Sequence, residues 1–277
     1  MLNWYKRVRV VRVVDGLSLE GLQAKGSYLL ATQMISCFFV YCYRLVCCCL
    51  PRNSLISLLF DIDGTLLRAG NAGMKAVHET LVEMFGEVPE SKLVVHGRTD
   101  HGIMTDVFAS LEKDYQQYRV KFDRLYWEKL PRVMEECDGC LLPGVVELLE
   151  ALAAAPDVAL GVLTGNACVP ANIKLKHFGI QDFFSFGGYG DDYSNRNQVA
   201  AVAMEAARAQ LQGAFDADQV WVIGDTVNDI TCARSVGAKV IAVETGGGTH
   251  DELVLAAPDV VFAELSNVKE FLHVIGK

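Results

Sequence analysis

Three apolar segments of the chain are each followed directly by polar residues whose types could do chemistry. In chain order, these residues are Asp61 and Asp63, then Thr164-Gly165-Asn166, then Asp225 and Asp229. If the three segments are parallel strands of an open α/β sheet, their carboxyl ends lie at the edge where ligands bind in such sheets. The spacing therefore predicts that carboxylates, a hydroxyl and backbone N–H groups meet in one place.

The negative charge of this set decides which chemistry it could do. Carboxylates that converge repel one another and raise one another's pKa unless a cation neutralises them. Oxygen ligands of this kind favour Mg²⁺, and Mg²⁺ beside a hydroxyl and backbone N–H groups forms a binding site for phosphate. A single strand-end Asp could instead cap the next helix, but three coordinated strand ends favour the metal and phosphate site.

The elements that would position these residues alternate from residue 55 onward. Short apolar runs predict strands and the stretches between them predict helices, which is typical of a parallel α/β sheet covered on both faces. The predicted strands are Leu55–Phe60, Val158–Leu163, Val220–Ile223, Lys239–Val243 and Asp259–Phe262, with Phe183–Phe186 as a short addition. The predicted helices are Leu81–Phe85, Tyr115–Met134, Val145–Ala154, Ala171–Phe178, Gln198–Gln212, Asp229–Val236 and Ser266–Ile275.

A long stretch with helical patterning and no clear strand separates the first two predicted strands. A simple βαβ crossover needs far fewer residues, so we expect an inserted helical subdomain, with Pro143-Gly144 marking the return to the core. The predicted organisation is an N-terminal extension at 1–54, a catalytic core at 55–67 and 141–277, and a helical cap at 68–140.

Residues 55–277 resemble the haloacid dehalogenase superfamily, and within it the phosphoglycolate-phosphatase-like branch, which has a helical cap inserted after the first strand. The motifs are Phe60-Asp61-Ile62-Asp63-Gly64-Thr65-Leu66, Leu163-Thr164-Gly165-Asn166 and Gly224-Asp225-Thr226-Val227-Asn228-Asp229. The first and last are specific, and the middle one is weak alone but correctly placed. The resemblance implies a Rossmann-like parallel sheet with this cap, and a hydrolase of phosphoric monoesters.

The resemblance implies that two aspartates do the covalent and proton chemistry. Asp61 would be the nucleophile, which attacks phosphorus in line and forms an aspartyl-phosphate. Asp63 would protonate the leaving alkoxide and then deprotonate the attacking water. The dehalogenase branch of the superfamily lacks this second acid, so its presence here favours phosphoryl transfer.

The resemblance also implies a metal site and a phosphate site. Mg²⁺ would be bound by Asp61, the backbone carbonyl of Asp63 and Asp225, with Asp229 as a supporting acid. The phosphoryl oxygens would be bound by the Thr164 hydroxyl and by the N–H groups of Gly165 and Asn166.

The third motif of the family is usually a lysine, and this chain departs from that pattern. The corresponding place reads Asp191–Gln198 and contains Arg196 at the start of a predicted helix. A guanidinium can bridge two oxyanions, so we favour Arg196. Lys174 and Lys176 are the alternatives, and Lys174 is also a candidate ligand of the substrate phosphate.

Specificity should come from the predicted cap. Its most polar segment is His96–His101, in which Arg98 could reach an anion of the substrate. The same segment could be a helix N-terminus capped by Thr99 or Asp100, and the two interpretations are compatible.

These observations favour a Mg²⁺-dependent phosphatase that acts on a small phosphorylated metabolite, either phosphoglycolate-like or a sugar phosphate. A phosphomutase of the β-phosphoglucomutase type and a non-catalytic binding protein are the alternatives. The four intact residues that argue against the second alternative are Asp61, Asp63, Thr164 and Asp225. Residues 55–277 carry a net charge of −14, which argues against a nucleic-acid partner, and the sequence leaves the oligomeric state open.

The first 54 residues differ in kind from the rest. Their net charge is +5, they hold five of the nine cysteines, and residues 28–50 are mostly apolar but are interrupted by Gln33 and Arg44. A basic segment followed by an apolar stretch is compatible with a membrane anchor or with a cleaved targeting segment. We favour an extension outside the folded unit of a cytoplasmic protein, with a membrane tether through residues 28–50 as the alternative.

Overall fold

The core is a six-stranded parallel sheet in the computed structural model, which describes residues 54–88 and 95–277. The strands within those ranges are β1 (Leu55–Phe60), β2 (Leu67–Arg68), β3 (Cys140–Leu141), β4 (Val158–Leu163), β5 (Phe186–Gly188), β6 (Phe215–Gly224), β7 (Lys239–Val243) and β8 (Val260–Phe262). The sheet has the order β5-β4-β1-β6-β7-β8, and its neighbouring strands run parallel. The predicted α/β fold class is confirmed.

Helices cover both faces of this sheet, as the apolar strands require. In the described ranges they are α1 (Ala72–Phe85), α2 (Asp100–Ser110), α3 (Tyr115–Glu136), α4 (Val145–Ala154), α5 (Cys168–His177), α6 (Arg196–Leu211), α7 (Val227–Ser235), α8 (His250–Leu255) and α9 (Val268–Val274). Short 3₁₀ helices span Gln181–Phe183 and Gln212–Ala214.

The alternation of side chains along β1 divides the core into two halves. Leu58 and Phe60 belong to a cluster with α4, α5 and α9, whereas Leu59 belongs to a cluster with α6, α7 and α8. Successive side chains of a strand point to opposite faces, and all three are fully buried. Each such burial contributes about 1.5–3 kcal/mol, so β1 is anchored from both sides at the place where the first motif begins.

The register of the three central strands aligns their carboxyl ends. Phe60 at the end of β1 pairs with Val162 of β4 on one side and with Ile223 of β6 on the other. The N–H of Asp61 donates to the carbonyl of Ile223 at 2.9 Å. The loops that follow the three strands therefore start within about two residues of one level.

A second cluster of helices is joined to the core by a short ribbon. β2 and β3 pair antiparallel, Leu67 with Leu141 and Arg68 with Cys140, and α1, α2 and α3 lie in the chain between them. These helices have their own apolar cluster, which includes Phe108 and Phe122 in edge-to-face contact. The ribbon coincides with the boundaries predicted at 67/68 and 140/141, and the division into core and cap stays a prediction.

Some predicted elements differ from the structure. The prediction of a strand at Phe183–Phe186 is wrong: Gln181–Phe183 is a 3₁₀ helix and β5 is Phe186–Gly188. The two glycines of β5 make this strand difficult to predict from residue propensities, because glycine is depleted in strands. They pair with Val162 and Leu163 of β4 all the same.

The helical elements of the insertion also extend beyond the prediction. α1 starts at Ala72 rather than at Leu81, and α2 was not predicted. Residues 1–53, including the apolar stretch at 28–50, lie outside the described residues. No helix in the part of the chain that the structure describes is long and apolar enough to cross a membrane.

Gly144 offers a test of how tightly the chain returns to the core. It precedes α4 with φ +78°, and a Cβ there would lie 2.3 Å from the backbone of Ser266; Gly179 has φ +71° with no atom within 4 Å of its Cβ position. Gly179→Ala should lower the free energy of unfolding by about 1 kcal/mol through φ alone. Gly144→Ala should lower it by about 3 kcal/mol, because the backbone must also shift. Urea titration measures both, and equal losses would contradict this packing.

Candidate active site

Three buried carboxylates lie together at the carboxyl edge of the sheet. Asp61 follows β1, Asp225 follows β6, and Asp229 lies in the first turn of α7. Their exposed fractions are 5%, 2% and 0%, and one oxygen of each lies within 4.8 Å of an oxygen of the other two. The structure thus brings together three acids that the sequence placed after two different strands.

Burial and mutual repulsion make these acids hard to ionise. Burial raises the pKa of Asp61 to about 6, and the charges of Asp229 and Asp63 act in the same direction. Burial raises the pKa of Asp225 to about 8, again with help from the two neighbouring acids. Desolvation and like charge both disfavour a carboxylate anion, so this group needs positive charge nearby.

Arg196 supplies part of that charge. It is the first residue of α6 and is 7% exposed. One guanidinium nitrogen lies 3.0 Å from Asp61 Oδ1 and also forms an ion pair with Asp229 Oδ1. Burial lowers the pKa of Arg196, but the charges of Asp229 and Asp61 outweigh it and keep the pKa above its usual value.

The remaining charge fits a divalent cation. Three carboxylates face one guanidinium, and several buried oxygens with hard character suit Mg²⁺ better than softer metals. Asp229 Oδ2 is held by the N–H and hydroxyl of Thr226, at 2.9 and 2.6 Å. Asp229 Oδ1 has no hydrogen bond within the described residues and faces Arg196. The donor set therefore fits a metal held by Asp61, Asp225 and Asp229.

Asp225 is fixed by two further groups. The N–H of Gly247 donates to its Oδ2 at 2.6 Å, and the hydroxyl of Thr65 donates to its Oδ1 at 3.2 Å. A Cβ on Gly246 would lie 1.8 Å from Asp225 Oδ2, so only glycine fits there. Sequence reasoning gave Gly246 and Gly247 no role in holding Asp225; the signal available was a run of three glycines, which Glu244 and Thr245 separate from β7.

Asp63 stands apart from the buried acids. Its side chain is 41% exposed, and its Oδ2 accepts hydrogen bonds from Lys174 Nζ at 2.5 Å and from Asn166 Nδ2 at 2.7 Å. Lys174 also donates to Asn166 Oδ1 at 2.7 Å. The two cations considered for the third motif thus have different partners: Arg196 contacts Asp61, and Lys174 contacts Asp63. Lys176 is exposed.

The loop after β4 brings the predicted phosphate ligands to the same edge. Thr164 is fully buried, and its Oγ accepts the N–H of Asn166 at 3.2 Å and the side-chain amide of Asn166 at 2.9 Å. With both acceptor positions used, the Thr164 hydroxyl proton is left to donate. A Cβ on Gly165 would lie 2.0 Å from the carbonyl oxygen of Arg98. The loop of the insertion at Arg98 therefore lies directly on the loop after β4.

Two residues of the insertion fasten it to the core here. The N–H of Asp100 donates to the carbonyl of Gly165 at 2.7 Å, and Asp100 Oδ2 accepts the N–H of Ala167 at 2.8 Å. Burial raises the pKa of Asp100 to about 6. Thr99 caps α2 by accepting the N–H of Gly102, as one of the two sequence interpretations expects.

Arg98 lies beside this contact and lines the same cavity. Its guanidinium donates to Asp106 Oδ2 at 2.7 Å and to the carbonyl of Gly102 at 3.2 Å. The cavity between the sheet edge and the insertion has a volume of about 520 Å³ and reaches all of the predicted site residues except Asp229. The edge of the sheet is thus one wall of a half-open cavity whose other wall comes from residues 69–127.

Comparison with known sequences supplies the family. The sequence profile of haloacid dehalogenase-like hydrolases matches residues 58–243. The chain belongs to this family. The predicted recognition and the predicted class of enzyme, a phosphoric monoester hydrolase of this family, are confirmed.

Individual haloacid dehalogenase-like relatives carry names of two kinds. The phosphoglycolate phosphatase of Synechococcus elongatus is 29% identical over 208 residues, which is 73% of this chain and 90% of that protein. PtkA of Mycobacterium tuberculosis, named a tyrosine-protein kinase, is 27% identical over 231 residues, which is 82% of this chain and 74% of that protein. Both names describe phosphoryl chemistry.

A solved structure from this family shows the same fold. The protein from Haemophilus somnus, described as a predicted phosphoglycolate phosphatase, superposes with a TM-score of 0.59 at 20% sequence identity. The match covers 80% of this chain and 99% of that one. At this identity the likeness supports the α/β fold alone, and the roles of individual residues stay predictions.

The acid cluster predicts that Mg²⁺ stabilises this hydrolase independently of any substrate. A ligand that binds only the folded state at 100 times its Kd adds about 2.7 kcal/mol, or a rise in Tm of roughly 5–10 °C for a chain of this size. Thermal melts in Mg²⁺ and in EDTA measure the rise.

The matched variants are Asp225→Asn and Asp218→Asn, both on or next to β6. The first removes a cluster carboxylate and should abolish most of the rise, whereas Asp218 is exposed and its variant should keep it. A full Mg²⁺ effect in Asp225→Asn would contradict the assignment of the metal ligands.

Proposed function

We propose that this protein is a Mg²⁺-dependent phosphatase that hydrolyses a small phosphorylated metabolite through an aspartyl-phosphate on Asp61. The observation that carries the proposal is the pairing of two unlike aspartates at the end of β1. Asp61 is buried against Arg196 and two further acids, and Asp63 is half-exposed and held by Lys174 and Asn166. This contrast supports Asp61 as the nucleophile and Asp63 as the proton carrier.

The first half of the reaction is the attack on phosphorus. Asp61 attacks in line and the phosphorus–oxygen bond to the leaving alcohol breaks, which leaves the phosphoryl group on the carboxylate. Asp63 gives its proton to the departing alkoxide. The Thr164 hydroxyl and the N–H of Gly165 bind phosphoryl oxygens, and the N–H of Asn166 joins them by giving up its bond to Thr164 Oγ1.

The second half is hydrolysis. Asp63, now ionised, removes a proton from a water molecule that attacks the phosphorus, and Asp61 leaves as a free carboxylate. Lys174 keeps Asp63 oriented during both steps through its contact at 2.5 Å. Arg196 keeps Asp61 aligned. A bound Mg²⁺ would supply neutralisation of the phosphoryl charge as it builds up.

The helical insertion, residues 68–140, is proposed as the cap of this site. It lies in the chain between the two strands of the ribbon, and its loop at Arg98–Asp100 contacts the phosphate loop directly. Because residues of both parts line the cavity, the insertion covers part of the sheet edge at which the phosphate would lie. Arg98 is proposed to act on bound substrate from this loop.

The alternative of a phosphomutase differs in the acceptor of the phosphoryl group. A mutase returns the group to a sugar and depends on a bisphosphate activator. A kinase, the class for which PtkA is named, requires both a phosphoryl donor and an acceptor. A phosphatase needs only water. Release of inorganic phosphate from a single substrate therefore separates the proposal from both.

The decisive test is a phosphate-release assay on phosphoglycolate, sugar phosphates and nucleotides, with Mg²⁺ and with EDTA. We expect that phosphate release requires Mg²⁺ and does not require a bisphosphate activator. Asp61→Asn should lower kcat by about a thousand-fold or more, because no other group can replace a covalent nucleophile. Asp182→Asn is the matched control, since Asp182 is exposed and should keep full activity. Activity in EDTA, or an active Asp61→Asn protein, would overturn the proposal.

A further inference from the structure

The wall of the cavity opposite the catalytic acids is apolar. Within the described residues, six side chains from α1, α2 and α3 form this apolar cap wall: Met74, Val77, Ile103, Met104, Phe122 and Trp127. Pockets of about 300–1,000 Å³ suit ligands of the size of a drug molecule, and the cavity here is about 520 Å³. It is larger than phosphoglycolate, one of the smallest phosphate monoesters, requires.

The apolar cap wall is also rigid. Phe122 is fully buried and stacks on Tyr126 with ring centroids 6.0 Å apart. It also makes edge-to-face contacts with Tyr115 and Phe108. Rings fixed in this way cannot withdraw to expose polar groups. These rings support the two members of the wall that are only partly buried, Met74 and Trp127, and a substrate that fills the cavity meets those two side chains.

Two acids that line the cavity are already engaged, whereas the Nδ1 atom of His101 has no hydrogen-bond partner within the described residues. Asp123 accepts from Tyr115 at 2.8 Å and from Arg119 at 3.4 Å, and Asp191 of the core accepts the N–H of Cys168 at 2.9 Å. Hydroxyl groups of a sugar would have to displace these partners. Burying a polar group without a hydrogen bond is costly, so hydroxyl groups placed against the apolar cap wall would lose free energy.

The charges of the cavity disfavour a second anion on the substrate. Asp100, Asp123 and Asp191 add negative charge to its lining. Two arginines that line the cavity already have acidic partners: Arg98 contacts Asp106, and Arg119 contacts Asp192 at 2.8 Å. A carboxylate such as that of phosphoglycolate would thus compete with these acids for the arginines of the lining.

Arg68 also lines the cavity, but its hydrogen-bond partner is a backbone carbonyl rather than a carboxylate. Arg68 is exposed, and its guanidinium donates to the carbonyl of Thr245 at 2.8 Å. If the substrate carried a carboxylate, Arg68 would be the residue that binds it. The substitution Arg68→Gln therefore tests the competing substrate class.

Resting on the phosphatase activity proposed above, we propose that the substrate is a phosphate monoester of an apolar alcohol with an aromatic ring. The ring packs on the apolar cap wall while the phosphate lies at Asp61. Specificity then comes from apolar contact in the cap rather than from recognition of a carboxylate or of sugar hydroxyls.

The test compares benzyl phosphate with methyl phosphate, because their alcohols have closely similar acidities and differ by the ring. Burying one aromatic ring should raise kcat/KM about 10- to 100-fold. Phosphoglycolate and glucose phosphate should fall below benzyl phosphate, and Arg68→Gln should leave the ranking unchanged.

Gly73 provides a variant that fills the cavity. It lies in α1 and lines the cavity, and the only atom within 4 Å of a Cβ there is the Tyr126 hydroxyl oxygen at 3.7 Å. Gly73→Leu should lower the ratio of kcat/KM for benzyl over methyl phosphate about 10-fold, since leucine is also a good helix former. Val82→Leu on the same helix is the control, because Val82 is 54% exposed and the ratio should not change.

The outcomes separate this inference from the proposed function. If phosphoglycolate is the best substrate and Arg68→Gln raises its KM, the aromatic class is wrong while the phosphatase stands. If benzyl and methyl phosphate react equally, the apolar cap wall does not select the substrate. If no monoester releases phosphate with Mg²⁺, both proposals fail together.

Discussion

The feature on which the rest of this structure depends is a group of like charges buried at one edge of a sheet. Asp61, Asp225 and Asp229 lie within a few ångströms of one another, and the one cation in contact with them in the described part of the chain is Arg196. Burying carboxylates together costs free energy. A site of this kind persists only if the surrounding fold holds it and if a further positive charge occupies it during function.

The fold meets that requirement through strand register and close backbone approach. β1, β4 and β6 end at nearly one level, so three loops converge without long connections. Gly246 leaves the space that Asp225 occupies, and Gly165 lets the loop at Arg98 lie on the phosphate loop. The same geometry separates the two proposed roles: the anionic nucleophile is buried beside Arg196, and the proton carrier Asp63 lies where solvent and Lys174 reach it.

The sequence predicted the parts of this arrangement that leave a local pattern along the chain, and it missed the contacts that form only in the tertiary structure. Continuous apolar runs identified the central strands, and the residues after them, from Asp61 to Asp229, needed no structure to be singled out. The strand at Phe186–Gly188 was misplaced, because its glycines carry no strand propensity and are chosen by packing against β4. The different partners of Arg196 and Lys174 could not be predicted either. The two residues lie on separate helices, and only the tertiary structure brings them to Asp61 and Asp63. The roles of the site residues stay predictions, whereas the family and the α/β fold are confirmed.

The most direct measurement of the central claim is reductive trapping of the covalent intermediate. Borohydride added during turnover reduces an aspartyl-phosphate to homoserine and releases phosphate, and peptide mass spectrometry locates the change. The account predicts homoserine at position 61 alone, formed only when substrate and Mg²⁺ are both present. Homoserine at position 63 or 225, or none at any aspartate while phosphate is being released, would contradict the assignment of Asp61 as the nucleophile within the buried acid cluster.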